Sequence, residues 1–149
     1  MPPTPRQSRW RDDETWQARV AADNAELDAR LSDEQKEVLA GVGDAVGAGD
    51  PDDILALDFL VVFGSYARGD HGPNSDLDVY FEAANLPERF NRVDANRHYQ
   101  VFGMPRGALL DDLQARRPFG PTVVRDALVV HDQGRFRAIL ISFDEGEPS

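Results

Sequence analysis

The sequence predicts a small mixed domain of the α/β (α+β) class, a mixed β-sheet with helices packed on it. Segments with apolar residues at helical spacing alternate with short, continuous apolar runs that stop at glycine or polar turns. A chain of 149 residues, 41% of them hydrophobic, supplies one core and leaves little room for a second.

The elements follow in order. Residues 1–11 are Pro-rich and polar and are expected to form a flexible tail, before a single domain over 12–143 and a second tail over 144–149. From Asp12 to Leu31, Trp16, Val20, Leu27 and Leu31 share a helix face, and Asp12, Asp13 and Glu14 suit its positive end. Ser32 and Gln35 form a capping box for a second helix with Val38, Leu39, Val42 and Val46 on its face, ended by residues 47–51. The run Phe59–Phe63 suits a strand covered on both sides. The turn at residues 69–74 leads to a second strand, Leu77–Phe81, and residues 85–96 are expected to be part helix and part loop. Tyr99–Phe102 gives a third strand. Ala108, Leu109, Leu110 and Leu113 support a helix ending before Pro118, and a helical turn near Val123 and Val124 precedes the strand Leu128–His131. Asp132-Gln133-Gly134 has the composition of a hairpin turn, and Arg135–Phe143 fits either strand or helix.

Composition excludes several functions. Without cysteine there are no disulfides, thiolate metal sites or cysteine nucleophiles. No apolar run approaches the length of a membrane span, and residues 1–5 lack the apolar core of a secretory signal, so a cytoplasmic location with no membrane partner is expected. The net charge is -11, and Lys36 is the sole lysine. Such a surface disfavours direct nucleic-acid binding. It also suits a halophilic source, where salt screens the self-repulsion, although a GC-rich genome would likewise favour Arg over Lys. No Gly-x-Ser-x-Gly elbow and no Walker-type loop occurs. Trp10 and Trp16 are expected to anchor the first helix. His71 reads as a solvated loop residue, and His98 and His131 have no matching ligand set for a metal triad.

The chemistry concentrates in Phe63-Gly64-Ser65-Tyr66-Ala67-Arg68-Gly69 and, beyond the turn, Asn74-Ser75-Asp76-Leu77-Asp78-Val79. Gly64 at a strand end permits close approach to its backbone. A helix starting at Ser65 would present free N–H groups and a hydroxyl, an arrangement that can hold a phosphate. Asp76 and Asp78 lie two residues apart on a strand, so both face the same side, roughly 6.6 Å apart along the chain. They repel each other unless a cation lies between them, and Mg²⁺ takes one or two carboxylates plus substrate phosphates. Arg68 can either reach a phosphate or neutralise Asp70 and Asp76. Each feature alone is an ordinary turn or a solvated edge; together they describe a nucleotide–metal site.

The pattern Gly64-Ser65, ten residues, then Asp76-x-Asp78 resembles the signature of the minimal nucleotidyltransferases, a branch of the polymerase β-type nucleotidyltransferase superfamily. The resemblance runs from about Phe59 to Asp132 and includes Arg68, Ser75 and the apolar flanks of the acidic pair. It implies the polymerase β-type fold. It further implies that Gly64, Ser65, Arg68 and Ser75 bind the nucleotide, and that catalytic Asp76 and Asp78 hold two Mg²⁺ ions for transfer of a nucleoside monophosphate, with ATP as the expected donor. Family members that catalyse carry a third carboxylate on the next strand. Here that strand, His98–Phe102, offers Gln100; Asp94 takes the place if the strand begins earlier, and Asp111 lies too deep in the following helix.

Many minimal nucleotidyltransferases neutralise a HEPN-domain ribonuclease toxin, so the resemblance implies an antitoxin that transfers AMP to such a partner. Two alternatives stand beside it. A non-catalytic antitoxin would act by masking, in keeping with Gln100. A free-standing enzyme would modify a small molecule, though such enzymes carry an additional helical domain.

Overall fold

In the computed structural model, residues 9–40, 57–72, 75–84, 90–94 and 99–146 are described. The apolar run Phe59–Phe63 becomes β1, and all five of its residues are buried. Four strands join it in one sheet: β2 (Leu77–Ala83), β3 (Phe90–Asp94), β4 (Tyr99–Pro105) and β5 (Leu128–Asp132). Their spatial order is β3-β4-β2-β1-β5. Only β2 and β4 pair in parallel; β1 pairs antiparallel with β2 and with β5, and β3 antiparallel with β4. The helices are α1 (Asp13–Arg30), α2 (Asp33–Ala40), α3 (Ser65–Arg68), α4 (Ala108–Gln114), α5 (Phe119–Asp126) and α6 (Arg135–Gly146). The mixed α/β class holds.

Alternation along the strands divides the core in two. On one face Leu60, Val62, Leu77, Val79 and Phe81 pack with Leu27, Leu31 and Leu39 from α1 and α2. On the other, Phe59, Val61, Phe63 and Tyr80 pack with Leu109, Val123 and Phe136 from α4, α5 and α6. Trp10 and Trp16 complete this second cluster, edge to face with ring centroids 5.6 Å apart. Trp10 is 8% exposed, and its carbonyl accepts a 2.7 Å bond from Arg137 Nε. Arg9–Arg11, which the sequence reading assigns to the tail, form a 3₁₀ turn.

Caps define several helix ends as expected. Asp12 accepts from the Glu14 N–H at the start of α1, and Ser32 and Gln35 exchange both bonds of their capping box. Val42 and Val46, proposed for the second helix, lie outside the described residues, as do residues 1–8.

Helix α1 also covers the free edge of β5. The Val129 N–H donates to Asp23 Oδ2 at 2.9 Å, Asn24 Nδ2 donates to the Val129 and Val130 carbonyls, and an Arg19 guanidinium nitrogen donates to the Ala127 carbonyl at 2.8 Å. Side chains thus occupy groups that another strand would otherwise pair.

Three assignments differ from the sequence reading. The stretch at 85–96 contains strand β3, which pairs with β4 from Phe90↔Gly103 to Asp94↔Tyr99; its polar residues give no alternation, and tertiary pairing decides its state. Asp132-Gln133-Gly134 is no hairpin: Asp132 accepts from the Phe136 and Arg137 N–H groups and so opens a helix. That helix, α6, runs through Gly146, beyond the boundary expected for the C-terminal tail. Among the described residues no helix is long and apolar enough to cross a membrane.

Glu82 secures α4 to the sheet. It is 1% exposed, and its carboxylate accepts from the Gly107 N–H (2.9 Å), the Leu109 N–H (2.8 Å) and the Tyr80 hydroxyl (2.8 Å). Burial pushes its pKa up, and these three donors oppose the rise. Next to it, buried Asp58 takes two bonds from Arg106, at 2.6 and 2.7 Å. Replacing Glu82 with Gln turns an amide N–H₂ toward backbone donors. We expect Glu82→Gln to cost about 2–4 kcal/mol of stability, read by chemical denaturation; a loss below about 1 kcal/mol would show that Glu82 does not hold α4.

Candidate nucleotide-transfer site

β1 ends at Phe63, whose register partner across the sheet is Asp78. The next residue, Gly64, has φ 76° and ψ -153°, a conformation essentially reserved for glycine. A Cβ there would stand 2.5 Å from Asp78 Oδ2. The glycine therefore serves two needs, an otherwise strained backbone and close approach of a carboxylate. The chain then enters α3, with the Arg68 N–H bonded to the Gly64 carbonyl and the Gly69 N–H to that of Ser65.

Leu77 and Val79 are fully buried on the opposite face, so alternation turns Asp78 toward the Phe63 side of the sheet. Asp76, immediately before β2, is exposed, whereas Asp78 is half-buried. Burial is the main cause that raises the Asp78 pKa from 3.8 to about 6; Asp76 adds to the rise and Arg68 opposes it.

The remaining expected residues divide. Ser65 directly follows Gly64 at the start of α3. Arg68 lies close enough to influence Asp78, but its Nε donates to Asp70 at 3.2 Å and its Nη1 to Asp126 at 2.8 Å. It is thus tied to two carboxylates, in keeping with a neutralising role. Ser75 holds the turn, its Oγ accepting from the Gly72 N–H at 2.8 Å while its own N–H donates to the Gly72 carbonyl. His71 is no solvated loop residue: its ring stacks on Tyr66 with centroids 4.1 Å apart, and Nδ1 is buried without a hydrogen-bond partner. His131 Nε2 is likewise buried and unpartnered. His98 lies outside the described residues.

Register identifies the neighbour of Asp78 on β4. Asp78 pairs with Gln100 on the parallel strand β4, while Asp94 pairs with Tyr99, the partner of Leu77. Gln100, rather than Asp94 or the exposed Asp111 in α4, stands beside Asp78. Among the described residues no group of three or more His, Asp or Glu side chains could hold a metal. Two mutually repelling carboxylates fit Mg²⁺ only where substrate phosphates complete its coordination.

Sequence reasoning missed the buried acids Asp58 and Glu82 and the aromatic wall beside the carboxylates. Phe63, Tyr80 and Phe102 lie on the Asp78–Gln100 face, and Phe119, 36% exposed, touches all three rings. With Met104 and Leu109, Tyr80, Phe102 and Phe119 line a cavity of about 510 Å³. The two-residue spacing of Tyr80 from Asp78 and of Phe102 from Gln100 was the available signal.

A mixed sheet that sets the glycine turn after β1 against Asp78 at the start of β2, with Asp76 two residues earlier, is in keeping with the class of nucleotide-transferring domains. The family model for "Nucleotidyltransferase domain" matches residues 53–137, more than half of the chain. The chain belongs to that family, within the polymerase β-type superfamily. No curated protein matches it. The family supports a transferase that moves a nucleotidyl group.

Two substitutions test this geometry. Gly64→Ala forces a side chain onto Asp78 and strains the turn, so it should cost about 2–4 kcal/mol in denaturation experiments; wild-type stability would show that the turn relaxes freely. Asp78→Asn should stabilise the metal-free protein by about 1–3 kcal/mol at pH 7.5. The sign follows from a carboxyl whose folded pKa is raised: its ionisation penalty is full above about 6 and is relieved as pH falls toward 3.8. The advantage of Asn should therefore shrink between pH 7 and pH 4 in EDTA. An advantage independent of pH would exclude ionisation as its source.

Proposed function

We propose that the protein transfers AMP from ATP, with Mg²⁺, to a hydroxyl on a partner protein, and that it acts as the cytoplasmic antitoxin of a HEPN ribonuclease toxin. The observation that carries the transfer is the approach of Asp78 to the Gly64 turn, with Asp76 two residues before it, in a chain of the nucleotidyltransferase family. Asp76 and Asp78 would hold the Mg²⁺, which when bound stabilises charge on the phosphates; Gly64 and Ser65 would receive the triphosphate. The acceptor oxygen forms a bond to the α-phosphorus as the bond from that phosphorus to the bridging oxygen of the β-phosphate breaks; pyrophosphate leaves with that oxygen, and the hydroxyl proton passes to solvent water. Support for a protein acceptor comes from the resemblance of the Gly64–Asp78 stretch to minimal nucleotidyltransferases. The open aromatic cavity on the Asp78–Gln100 face also leaves space for an incoming side chain.

A second reading draws on Gln100. An amide cannot accept the acceptor's proton near neutral pH, which favours an antitoxin that binds nucleotide and neutralises its partner by masking. Purified protein, Mg²⁺, α-labelled ATP and the HEPN partner, assayed at high salt, separate the two. Label on the partner, reduced at least about 100-fold by Asp76→Ala, is expected for transfer. A stable, nucleotide-binding complex that neutralises without label establishes masking, and absence of any nucleotide binding overturns both readings.

A further inference from the structure

The turn that follows β1 is pressed by a side chain at each end. At Gly64 that side chain is Asp78. At Gly69, which leaves α3 with φ 82° and ψ 12°, a Cβ would stand 3.2 Å from a guanidinium nitrogen of Arg30 and 3.3 Å from its Cζ. Arg30 is the last residue of α1, 36 positions before Tyr66, and lies outside the Gly64–Asp78 stretch that marks the site.

The bonds of Arg30 complete α3. Four residues are too few for a helix to persist alone. The Gly64 carbonyl accepts from the Arg68 N–H, and the Ser65 carbonyl from the N–H groups of Gly69 and Asp70. The chain leaves the helix at Gly69, so the next two carbonyls need donors from elsewhere. Arg30 Nη1 donates to both, at 3.0 Å to Tyr66 and 2.8 Å to Ala67. Its Nη2 pairs with Glu26 at 3.1 Å, which helps to fix the plane of the guanidinium. A cation at the carbonyl end of a helix is also favoured by the helix dipole.

Packing and hydrogen bonding divide the work. Tyr66 and Ala67 are buried in the same cluster as Leu27 and Leu31 of α1. Apolar contact of this kind is non-directional, and the two hydrogen bonds from Arg30 add the direction. Helix α1 is itself tied to β5 through Asp23, Asn24 and Arg19. Arg30 therefore refers the turn after β1 to a helix anchored at the margin of the sheet.

We propose that Arg30 is a positioning residue for nucleotide binding. By clamping the last carbonyls of α3 it holds the Gly64–Gly69 turn in shape before a triphosphate arrives, so that binding does not have to order the turn. That the turn receives a triphosphate rests on the proposed function; Arg30 acts on it through the main chain of α3.

The test compares the wild-type chain with Arg30→Ala, in which ethylguanidinium can take the place of the side chain, and with Arg30→Gln, which retains a polar stem. Hydrogen exchange followed by NMR should quicken at least about 10-fold at the Arg68, Gly69 and Asp70 amides, with the β1 amides unchanged. In calorimetric titration MgATP should bind at least about 10-fold more weakly, and Mg²⁺ with inorganic triphosphate should lose the same factor. Where transfer is measured, KM for ATP should rise by that factor while kcat stays within about 3-fold, because Asp76 and Asp78 are unaltered. Ethylguanidinium should restore binding to Arg30→Ala but not to Asp76→Ala, and sodium chloride at the same concentration should restore neither. A general loosening of the fold would instead quicken exchange throughout β1 and lower kcat together with binding, and would overturn the proposal. MgATP binding by both Arg30 variants equal to that of the wild type would also overturn it. A wild-type chain that binds no MgATP would overturn the proposed function, and this role with it.

Discussion

The contact between Gly64 and Asp78 organises the functional end of the molecule. It exists because β1 and β2 pair antiparallel in the one register that sets Phe63 across from Asp78. A slip of one residue would carry Asp78 into the apolar layer now filled by Leu77 and Val79. The same register leaves the Asp78 carboxylate among Phe63, Gly64 and Gln100, half removed from water and close to Asp76. That placement disfavours the ionised carboxyl, and under the proposed function a cation brought in with phosphates would relieve the repulsion.

The opposite end of the sheet solves a different electrostatic problem. Asp58 and Glu82 are both buried, but each has donors: two guanidinium nitrogens for Asp58, two backbone N–H groups and a phenol for Glu82. Within one strand, β2, two acidic residues four positions apart therefore have opposite characters. Glu82 is satisfied by the protein itself and fixes α4, while Asp78 faces the Gly64 turn beside Asp76, a repulsion that Arg68 opposes. The contrast separates structural from chemical carboxylates more clearly than burial alone.

Much of this was legible in the sequence because the determinants were local. The Asp12 and Ser32 caps, the apolar run of β1 and the two-residue spacing of Asp76 and Asp78 all announce themselves within a few residues. The sequence leaves Gln100 and Asp94 as alternatives beside the acidic pair, and the β2–β4 register sets Gln100 across from Asp78. What escaped depended on distant partners. Strand β3 needs the edge of β4, and the carbonyls of Trp10 and Arg11 need Arg137. Asp132 shows the reverse error: its turn composition was read correctly, but the element that follows accepts it as a helix cap. Arg68 belongs to the same class, since only the fold brings Asp126 to it.

The way α1 lies along β5 has a consequence for how this domain can associate. With Asp23, Asn24 and Arg19 bonded to the main chain from Ala127 to Val130, that margin of the sheet offers little to a visiting strand. The other margin is β3, which among the described residues has β4 as its sole strand neighbour. Among the described residues, continuation of the sheet from one molecule into another would therefore proceed from β3. Two copies joined there would form a closed pair, with both α1 helices at the outer ends, instead of an open fibre.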